Sequence, residues 1–238
     1  SVLFKIPAKE AKIVTLQYLC GLAIVESILG YGSTEAGAGV GYEDMPVKLK
    51  WPNDIYAMKP DHFTQIGLET KPTGTVEGDE QNYAKISGAL INTQFLEGMF
   101  HLVWGVVINV SNSAPTTSLN LVLAQLNKLR AAKGLPELPP YQDEILLAKM
   151  LFTVEQLYSV FIRAGLKPFL PLFYKRWFHS GQVVDVDDGS QLRKCRIDGI
   201  TPDYGLLMVQ DLNNGERLEL QPDGNSFDIF KGLIYKKS

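Results

Sequence analysis

Residues 83–111 read YAKISGALINTQFLEGMFHLVWGVVINVS and carry the strongest β-strand signal in the chain. Two long runs rich in apolar residues, YAKISGALINTQFL and FHLVWGVVINVS, are joined by the short sequence EGM. Near-continuous apolar runs of this kind are typical of central strands in a covered sheet. The sequence therefore predicts a hairpin of two central strands, around which the other elements are arranged.

Helices and a further strand are predicted on both sides of this hairpin. Within residues 8–30, apolar residues recur at helical spacing and a glycine-rich sequence follows, which predicts an amphipathic helix. PVKLKW at 46–51 alternates with the period of a strand. SLNLVLAQLNKLRAAKG at 118–134 predicts another helix, and a long helix should end at Gly165. The predicted apolar stripe of that long helix consists of Leu147, Leu151, Val154, Tyr158 and Phe161.

The sequence changes character at Gln182. Five short strand candidates follow, QVVDV, KCRIDGI, GLLMVQDL, ERLELQ and SFDIFKGLIY, separated by turn sequences such as DDG and NNG. Closely spaced strands of this kind predict a small β-barrel. We therefore expect two domains, a larger α+β domain over residues 1–180 and a barrel over residues 181–238.

The composition limits the classes of protein that the chain can represent. The 238 residues have a formal net charge of −3 with scattered cations, so neither a nucleic-acid partner nor an anionic membrane is predicted. We expect no membrane span, since no apolar run near about 20 residues stands out, and SVLFKIPAKE does not resemble a signal peptide. Two cysteines, Cys20 and Cys195, cannot build a disulfide framework. These features predict a cytoplasmic protein.

Three short segments have the residue types of a catalytic site. KWPND at 50–54 follows a predicted strand, AKISGAL at 84–90 places a lysine before a Ser-Gly pair, and GVVINVSNSAPTTSLN at 105–120 runs from a strand through a turn into a helix. In this order and at these separations, the segments resemble the catalytic domain of biotin protein ligases, also called holocarboxylase synthetases. YKRWFHSGQ and LQPDGNSFD extend the resemblance to the C-terminal part of the eukaryotic, fungal-type members.

The resemblance implies a fold and a reaction. The fold is α+β, a mixed sheet with helices similar to class II aminoacyl-tRNA synthetases, followed by an SH3-like β-barrel. In the reaction, biotin and ATP form biotinyl-5′-AMP with the help of Mg²⁺. The biotinyl group then passes to one lysine of an apo biotin carboxyl carrier domain, of the kind found in acetyl-CoA carboxylase and pyruvate carboxylase.

The resemblance also assigns catalytic and nucleotide-binding residues. Lys85 takes the catalytic position, where a cation would hold the biotin carboxylate against the α-phosphate, although a lysine in a strand can also be simply solvated. Asn53 and Asn109 would bind the adenylate, because an amide donates and accepts at once, and Lys50 would contact phosphates. These three could instead be turn amides and a solvated lysine. Asp54 would hold Mg²⁺ or cap its own turn.

Two glycines are assigned to the biotin site together with Lys85. Gly88 and Gly105 would let the strand backbone approach the biotin rings, and Leu90 would supply an apolar wall. A bulge or a packing requirement is the other explanation for a glycine in a strand. The family commonly has a second glycine at the position of Val107, so this side chain either narrows the site or packs elsewhere.

Several features depart from the family pattern. An arginine-rich Gly-Arg-Gly-Arg loop would lie upstream of Ser1, so we expect that the chain is N-terminally truncated and binds ligand weakly by itself. The polar residues 59–82 predict a solvated surface loop. His179 is a candidate for positioning between the domains or a structural histidine. Two other functions stay open, a lipoate-type ligase and a truncated, non-catalytic binding protein.

Overall fold

The computed structural model describes residues 1–8, 13–33, 41–62, 79–112, 116–222, 225–228 and 230–236. The first sheet has five strands: β1 (Val2–Pro7), β2 (Val47–Lys50), β3 (Asp54–Met58), β4 (Tyr83–Leu96) and β5 (Met99–Ile108). Their order is β1–β5–β4–β3–β2, and every neighbouring pair is antiparallel. The predicted hairpin is confirmed, because β4 lies in the middle of the sheet with β5 beside it.

The turn between β4 and β5 fixes the register of this hairpin. Leu96 and Met99 are paired, and between them Glu97 and Gly98 both have positive φ angles, 51° and 77°. Two such residues in succession are characteristic of a type I′ turn, whose twist matches that of the flanking strands. Gly98 in EGM therefore explains why two long strands can be joined by two residues.

The α-helices of the described residues are α1 (Leu16–Leu29), α2 (Leu119–Ala132), α3 (Asp143–Ala164) and α4 (Leu170–Arg176). The predicted helix at α1 is confirmed, but the prediction that it is amphipathic is wrong. Every residue of α1 except Gln17 and Glu26 is buried. The reason is its central position, since α1 packs against α3 on one side and against strands β2, β3 and β4 on the other.

The long helix α3 uses a different buried stripe from the one predicted. Val154 and Phe161 are buried as expected, whereas Leu147 and Leu151 are 52% and 42% exposed. The helix is apolar around most of its circumference, so spacing alone does not decide which side packs on α1. The helix is long enough to cross a membrane, and an 18-residue stretch of it has a mean hydropathy of 1.6, which meets the criteria for such a helix. In this structure 22% of that stretch is buried. Core helices also meet these criteria, yet the expectation that no such apolar run exists was wrong.

The second sheet has six strands: β6 (Val183–Asp187), β7 (Leu192–Ile200), β8 (Leu207–Asp211), β9 (Arg217–Leu220), β10 (Asn225–Asp228) and β11 (Leu233–Lys236). Their order is β10–β11–β6–β7–β8–β9, with β11 and β6 parallel and the other pairs antiparallel. The last predicted strand is divided into β10 and β11. Over the described residues no pairing joins β9 to β10, so this is an open mixed sheet and the closed barrel is not confirmed.

The two sheets meet at a cluster of aromatic residues. The Tyr18 hydroxyl in α1 donates to the carbonyl of Gly205, in the turn before β8, and accepts from Trp51 Nε1 at 3.2 Å. The backbone N–H of Phe178 donates to the carbonyl of Leu49 in β2 at 2.9 Å. The end of β2 and Trp51, the residue after it, are therefore held by α1 and by the chain that leads into the second sheet.

Of the predicted 59–82 loop, residues 63–78 lie outside the described residues.

Gly205→Ala should destabilise the protein by about 3 kcal/mol, measured by urea denaturation. Gly205 has a φ of 66°, and a Cβ at this position would overlap the Tyr18 ring. Gly215→Ala is the matched control, because Gly215 has a φ of 75° but its Cβ would meet no atom nearer than 3.8 Å. The control should lose only the backbone contribution of about 1 kcal/mol. Equal losses in the two variants would contradict a steric role for Tyr18.

Candidate ligand-binding site

The pairing of β3 with β4 brings the predicted site residues onto one face of the first sheet. Asp54 lies opposite Gly88. Two residues further along β3, Tyr56 lies opposite Lys85, so β4 contains one residue more than β3 over this interval. The surplus residue, Ile86, reverses the alternation of side chains along β4. Lys85 therefore shares a face with Asp54 and Gly88, whereas a regular strand would place it on the opposite face.

Lys85 and Asp54 form an ion pair on this face. Lys85 Nζ lies 2.7 Å from Asp54 Oδ1, and the two side chains are 48% and 22% exposed. A pair with this exposure stabilises a fold by about 1 kcal/mol or less, so its partners can exchange at little cost. The ammonium also lies over Gly88, where a Cβ would be 3.3 Å from Nζ. The glycine thus gives the lysine room to lie flat against the sheet and to meet an incoming anion.

Beside the ion pair, four residues form what we call the slot: Gly88, Leu90, Gly105 and Val107. Leu90 lies opposite Gly105, and Gly88 lies opposite Val107. The side chains of Leu90 and Val107 are 61% and 71% exposed, and a Cβ on Gly105 would meet no atom nearer than 3.9 Å. The structure brings together the residues predicted for biotin, and Val107 stands among them instead of packing away.

The two predicted asparagines are linked to the backbone of β4 near Lys85, Asn53 directly and Asn109 through Thr116. Asn53 Nδ2 donates to the carbonyl of Ala89 at 2.6 Å. Asn109 Nδ2 donates to Thr116 Oγ1 at 3.2 Å, and Thr116 Oγ1 donates to the carbonyl of Lys85 at 3.1 Å. Both loops are therefore fastened to the part of β4 that carries the ion pair. Thr116 was not predicted, and its position after a proline in the APTT sequence is the only signal that could have indicated it.

Lys50 lies where the site meets the second sheet. Its Nζ is 5.7 Å from the centre of the Phe227 ring, within the range of a cation–π contact. Burial lowers the pKa of the Lys50 ammonium. Among the neighbouring charges, Asp54 acts most strongly against this pKa shift, Lys85 adds to it and Asp228 opposes it. Phe227 and Asp228 belong to β10, so the second sheet contributes residues that the sequence assigned to a separate barrel.

His179 connects the turn after β2 to the second sheet. The ring is completely buried, and its Nε2 accepts a hydrogen bond from the Trp51 N–H at 3.0 Å. Because Nε2 accepts, the proton of the neutral ring lies on Nδ1, which is 2.8 Å from Gln182 Oε1. Burial lowers the pKa of His179 to about 3, against the opposing effect of the Gln182 hydrogen bond. The histidine is thus neutral and lies between the two sheets. It is a buried structural histidine and also connects the two parts of the chain, which are the two roles that the sequence left open.

Asp54 is the residue predicted to hold Mg²⁺. Throughout the described part of the chain, no group of three or more His, Cys, Asp and Glu side chains is placed to bind a metal ion. Mg²⁺ commonly takes only one or two carboxylates from the protein and completes its shell with water and substrate phosphates. Asp54 therefore fits Mg²⁺ as one ligand of an ion held mainly by a nucleotide, since the described residues alone offer no complete site.

The fold and this face define an α+β protein with an exposed, cationic candidate site on an antiparallel sheet. Residues 1–109 match the sequence profile of the biotin/lipoate A/B protein ligase family. Over 95% of its length the chain is 35% identical to a protein of Schizosaccharomyces pombe named biotin–protein ligase. It is 30% identical over its whole length to the Homo sapiens protein of that name. Residues 1–109 therefore carry the profile of this family, and nearly the whole chain is similar to proteins named biotin–protein ligase.

The relatives are longer than this chain. The chain spans 33% of the length of the Schizosaccharomyces pombe protein and 28% of the length of the Homo sapiens protein. It spans 61% of biotin–protein ligase 2 of Arabidopsis thaliana, to which it is 30% identical. In each comparison, the match covers nearly all of the present chain.

Solved structures support the architecture. A crystal structure of biotin protein ligase from Aquifex aeolicus matches 92% of this chain and 76% of its own, with a TM-score of 0.54 and 15% sequence identity. The same enzyme in complex with biotin and ATP matches with a TM-score of 0.51, at 16% identity, over 92% of this chain and 77% of its own. At this identity the likeness concerns the fold, which is confirmed as α+β with an antiparallel and a mixed sheet.

Replacement of His179 should alter how stability depends on pH. Between pH 7 and pH 5 the unfolded imidazole, with a pKa of 6.5, gains a proton that the folded ring with a pKa of about 3 does not accept. The wild type should therefore lose about 2 kcal/mol of unfolding free energy through this residue as the pH falls. His179→Gln keeps an acceptor and a donor but does not titrate. Urea denaturation at pH 7 and pH 5 should therefore show that the variant lacks this decrease in unfolding free energy. Parallel pH dependences for the two proteins would contradict a neutral buried histidine.

Proposed function

We propose that the protein containing this chain is an ATP-dependent biotin–protein ligase. The observation that carries the proposal is the Lys85–Asp54 ion pair at 2.7 Å, which lies over Gly88 at the edge of the slot. An exposed cation beside an apolar surface suits a small carboxylic acid with a largely apolar body. The names of the relatives at 30–35% identity indicate that this acid is biotin.

In the first step, the biotin carboxylate would replace Asp54 as the partner of Lys85. A carboxylate oxygen attacks the α-phosphorus of ATP, the bond from that phosphorus to the bridging oxygen breaks, and pyrophosphate leaves. The product is biotinyl-5′-AMP. Lys85 brings the two anions together and stabilises the negative charge that develops on the α-phosphate oxygens, an effect that is strongest in a site with preorganised charge.

The nucleotide would lie toward the second sheet. Lys50 is partly buried there, next to Phe227 and within the field of Asp228, so its ammonium is held in place before a phosphate arrives. Asn53 and Asn109 flank β4 and would bind the adenylate through their amides. Asp54 is the residue that would hold Mg²⁺ once Lys85 pairs with the substrate, and the bound ion would offset phosphate charge.

In the second step, an amine from another protein completes the reaction. The side-chain amine of one lysine on an apo biotin carboxyl carrier domain attacks the biotinyl carbonyl carbon. The carbon–oxygen bond to AMP breaks, AMP leaves, and the amine gives up its proton as the amide forms. Carrier domains of the acetyl-CoA carboxylase and pyruvate carboxylase type are the proposed partners. The open face of the first sheet leaves the site accessible to such a lysine.

A finer description of the architecture belongs to the same proposal. Residues 1–180 would form a catalytic domain of the class II aminoacyl-tRNA synthetase type, and residues 181–238 an SH3-like barrel that is open in its strand pairing. The short turns between β6, β7, β8 and β9 support the barrel, since such meanders close readily. The contacts of Phe227 and His179 with the KWPND turn indicate that the two parts act together. A cytoplasmic location completes the proposal.

Lys85→Ala should abolish adenylate formation. Loss of the ammonium removes the charge that stabilises the α-phosphate transition state, so biotin-dependent exchange of labelled pyrophosphate into ATP should fall by about 100-fold or more. The assay uses the full protein in which these residues occur, with biotin, ATP and Mg²⁺. Transfer of biotin to an apo carrier domain, followed by mass spectrometry, should fall in parallel.

Lys5→Ala is the matched control for this experiment. Lys5 is an exposed lysine of β1 on the same face of the same sheet, opposite His101 and away from the slot. Its loss changes the net charge by the same amount, so the exchange rate should stay within about twofold of the wild type. If the Lys85 variant keeps wild-type exchange, or if both variants lose it equally, Lys85 is not the residue that activates the carboxylate.

A further inference from the structure

We infer that Val107 selects the acyl substrate, by restricting the space beside the Lys85 ammonium to an acid whose first carbon after the carboxylate is unbranched. This inference rests on the proposed function and adds to it a residue that determines specificity. It concerns a side chain that the reaction itself does not use. The structure supplies three observations for it: the register of the strands, the exposure of the side chain and the position of the lysine.

The register places Val107 directly beside the ion pair. Asp54, Gly88 and Val107 form one row across β3, β4 and β5, and all three belong to the same face of the sheet. Directly opposed residues in an antiparallel pair have Cβ atoms about 5 Å apart. The Lys85 ammonium lies 3.3 Å from the position that a Cβ of Gly88 would take, in the middle of this row. The ammonium is thus bounded by Asp54 on one side and by the Val107 side chain on the other.

The exposure of Val107 shows that its side chain is not part of the core. It is 71% exposed, the largest value among the exposed large hydrophobic residues of the described chain. A β-branched residue in a strand has a restricted χ1, so its two methyl groups form a stiff wall and do not move aside for a ligand. Leu90 also faces the slot, but it lies opposite Gly105, in the next pair on this face and further from the ammonium.

These positions define what a bound acid must look like near its carboxylate. A carboxylate oxygen that bonds to Lys85 Nζ lies about 3 Å from it, and when the acid binds on the side of the ammonium away from Asp54, its next carbon approaches the Val107 side chain. A methylene group fits in that contact. A methyl branch directed at Val107 would overlap it, and close-packed apolar contacts tolerate little extra volume. Val107 restricts the space near the carboxylate, whereas further along the ligand Gly105 has no side chain and leaves space free.

Val103 provides a matched control residue in the same strand. It lies on the same face of β5 as Val107, is 43% exposed, and is opposite Asn92 on β4 and Leu3 on β1. Truncation there removes the same two methyl groups from the same surface, four residue pairs away from the Gly88 row. An effect that depends on strand propensity or on surface hydrophobicity should therefore appear in both valines, whereas a steric effect on the substrate should appear only at Val107.

The test compares biotin with an analogue that carries one methyl group on the carbon next to the carboxyl group. For the full protein, kcat/KM in pyrophosphate exchange is measured for both acids, and their ratio is the selectivity. Val107→Ala should reduce this selectivity at least about 10-fold, the usual range for a single methyl group in a packed site. Val107→Thr has nearly the same shape and should retain the selectivity, and Val103→Ala should match the wild type.

The outcomes separate this inference from the proposed function. If the wild type uses biotin but Val107→Ala keeps the wild-type selectivity, Val107 does not act as a wall and only this inference is lost. Equal reductions in Val107→Ala and Val103→Ala, or a reduction in Val107→Thr as large as in Val107→Ala, would overturn it as well. A wild type that activates neither acid would overturn the proposed function and this inference together. Thermal melting of each variant shows whether it is folded.

Discussion

Between Lys85 and Ser87, β4 contains one residue for which β3 has no partner, and the geometry of the site depends on that surplus residue, Ile86. Side chains alternate along a regular strand, so a lysine three positions from Gly88 would lie on the opposite face. The irregular register turns Lys85 to the side of Asp54. Ile86 itself is 2% exposed, and its carbonyl accepts the N–H of Asn109 at 2.8 Å, so the bulge is anchored in the core and by the loop after β5.

The electrostatic character of the site follows from this arrangement. Lys85 and Lys50 are both directed to the region of Asp54, which is their shared negative neighbour. An anionic substrate that binds Lys85 replaces one carboxylate by another, so Lys85 keeps an anionic partner, and Lys50 remains as a cationic neighbour of Asp54. Lys48 lies on the same face of β2 as Lys50, opposite Tyr56, and is buried, which lowers its pKa to about 8, with Arg176 adding to the shift. Lys50, opposite Asp54, is therefore the lysine of β2 that lies at the candidate site.

The second sheet is part of the site because of the residues that follow α4. His179 contacts the Phe227 ring of β10 with a centroid separation of 4.7 Å and accepts from the Trp51 N–H. The turn that carries Asn53 and Asp54 is therefore held by a buried neutral ring that depends on both sheets. A histidine that stayed charged here would be a buried cation whose Nε2 proton faces the Trp51 N–H, at a large free-energy cost. Its low pKa is the condition under which this connection is stable.

The sequence alone determined the two central strands, the strand–turn character of KWPND and the helices α1 to α3, because these depend on local spacing and turn chemistry. The candidate site residues came from the family resemblance. It did not determine that α1 is buried on all sides or which stripe of α3 packs, because both helices are apolar over most of their surface. Only the tertiary structure placed Lys85 on the face of Gly88, since a bulge is a property of two paired strands and not of one. The same holds for Val107 and Phe227, whose roles depend on contacts between residues that are far apart in the chain.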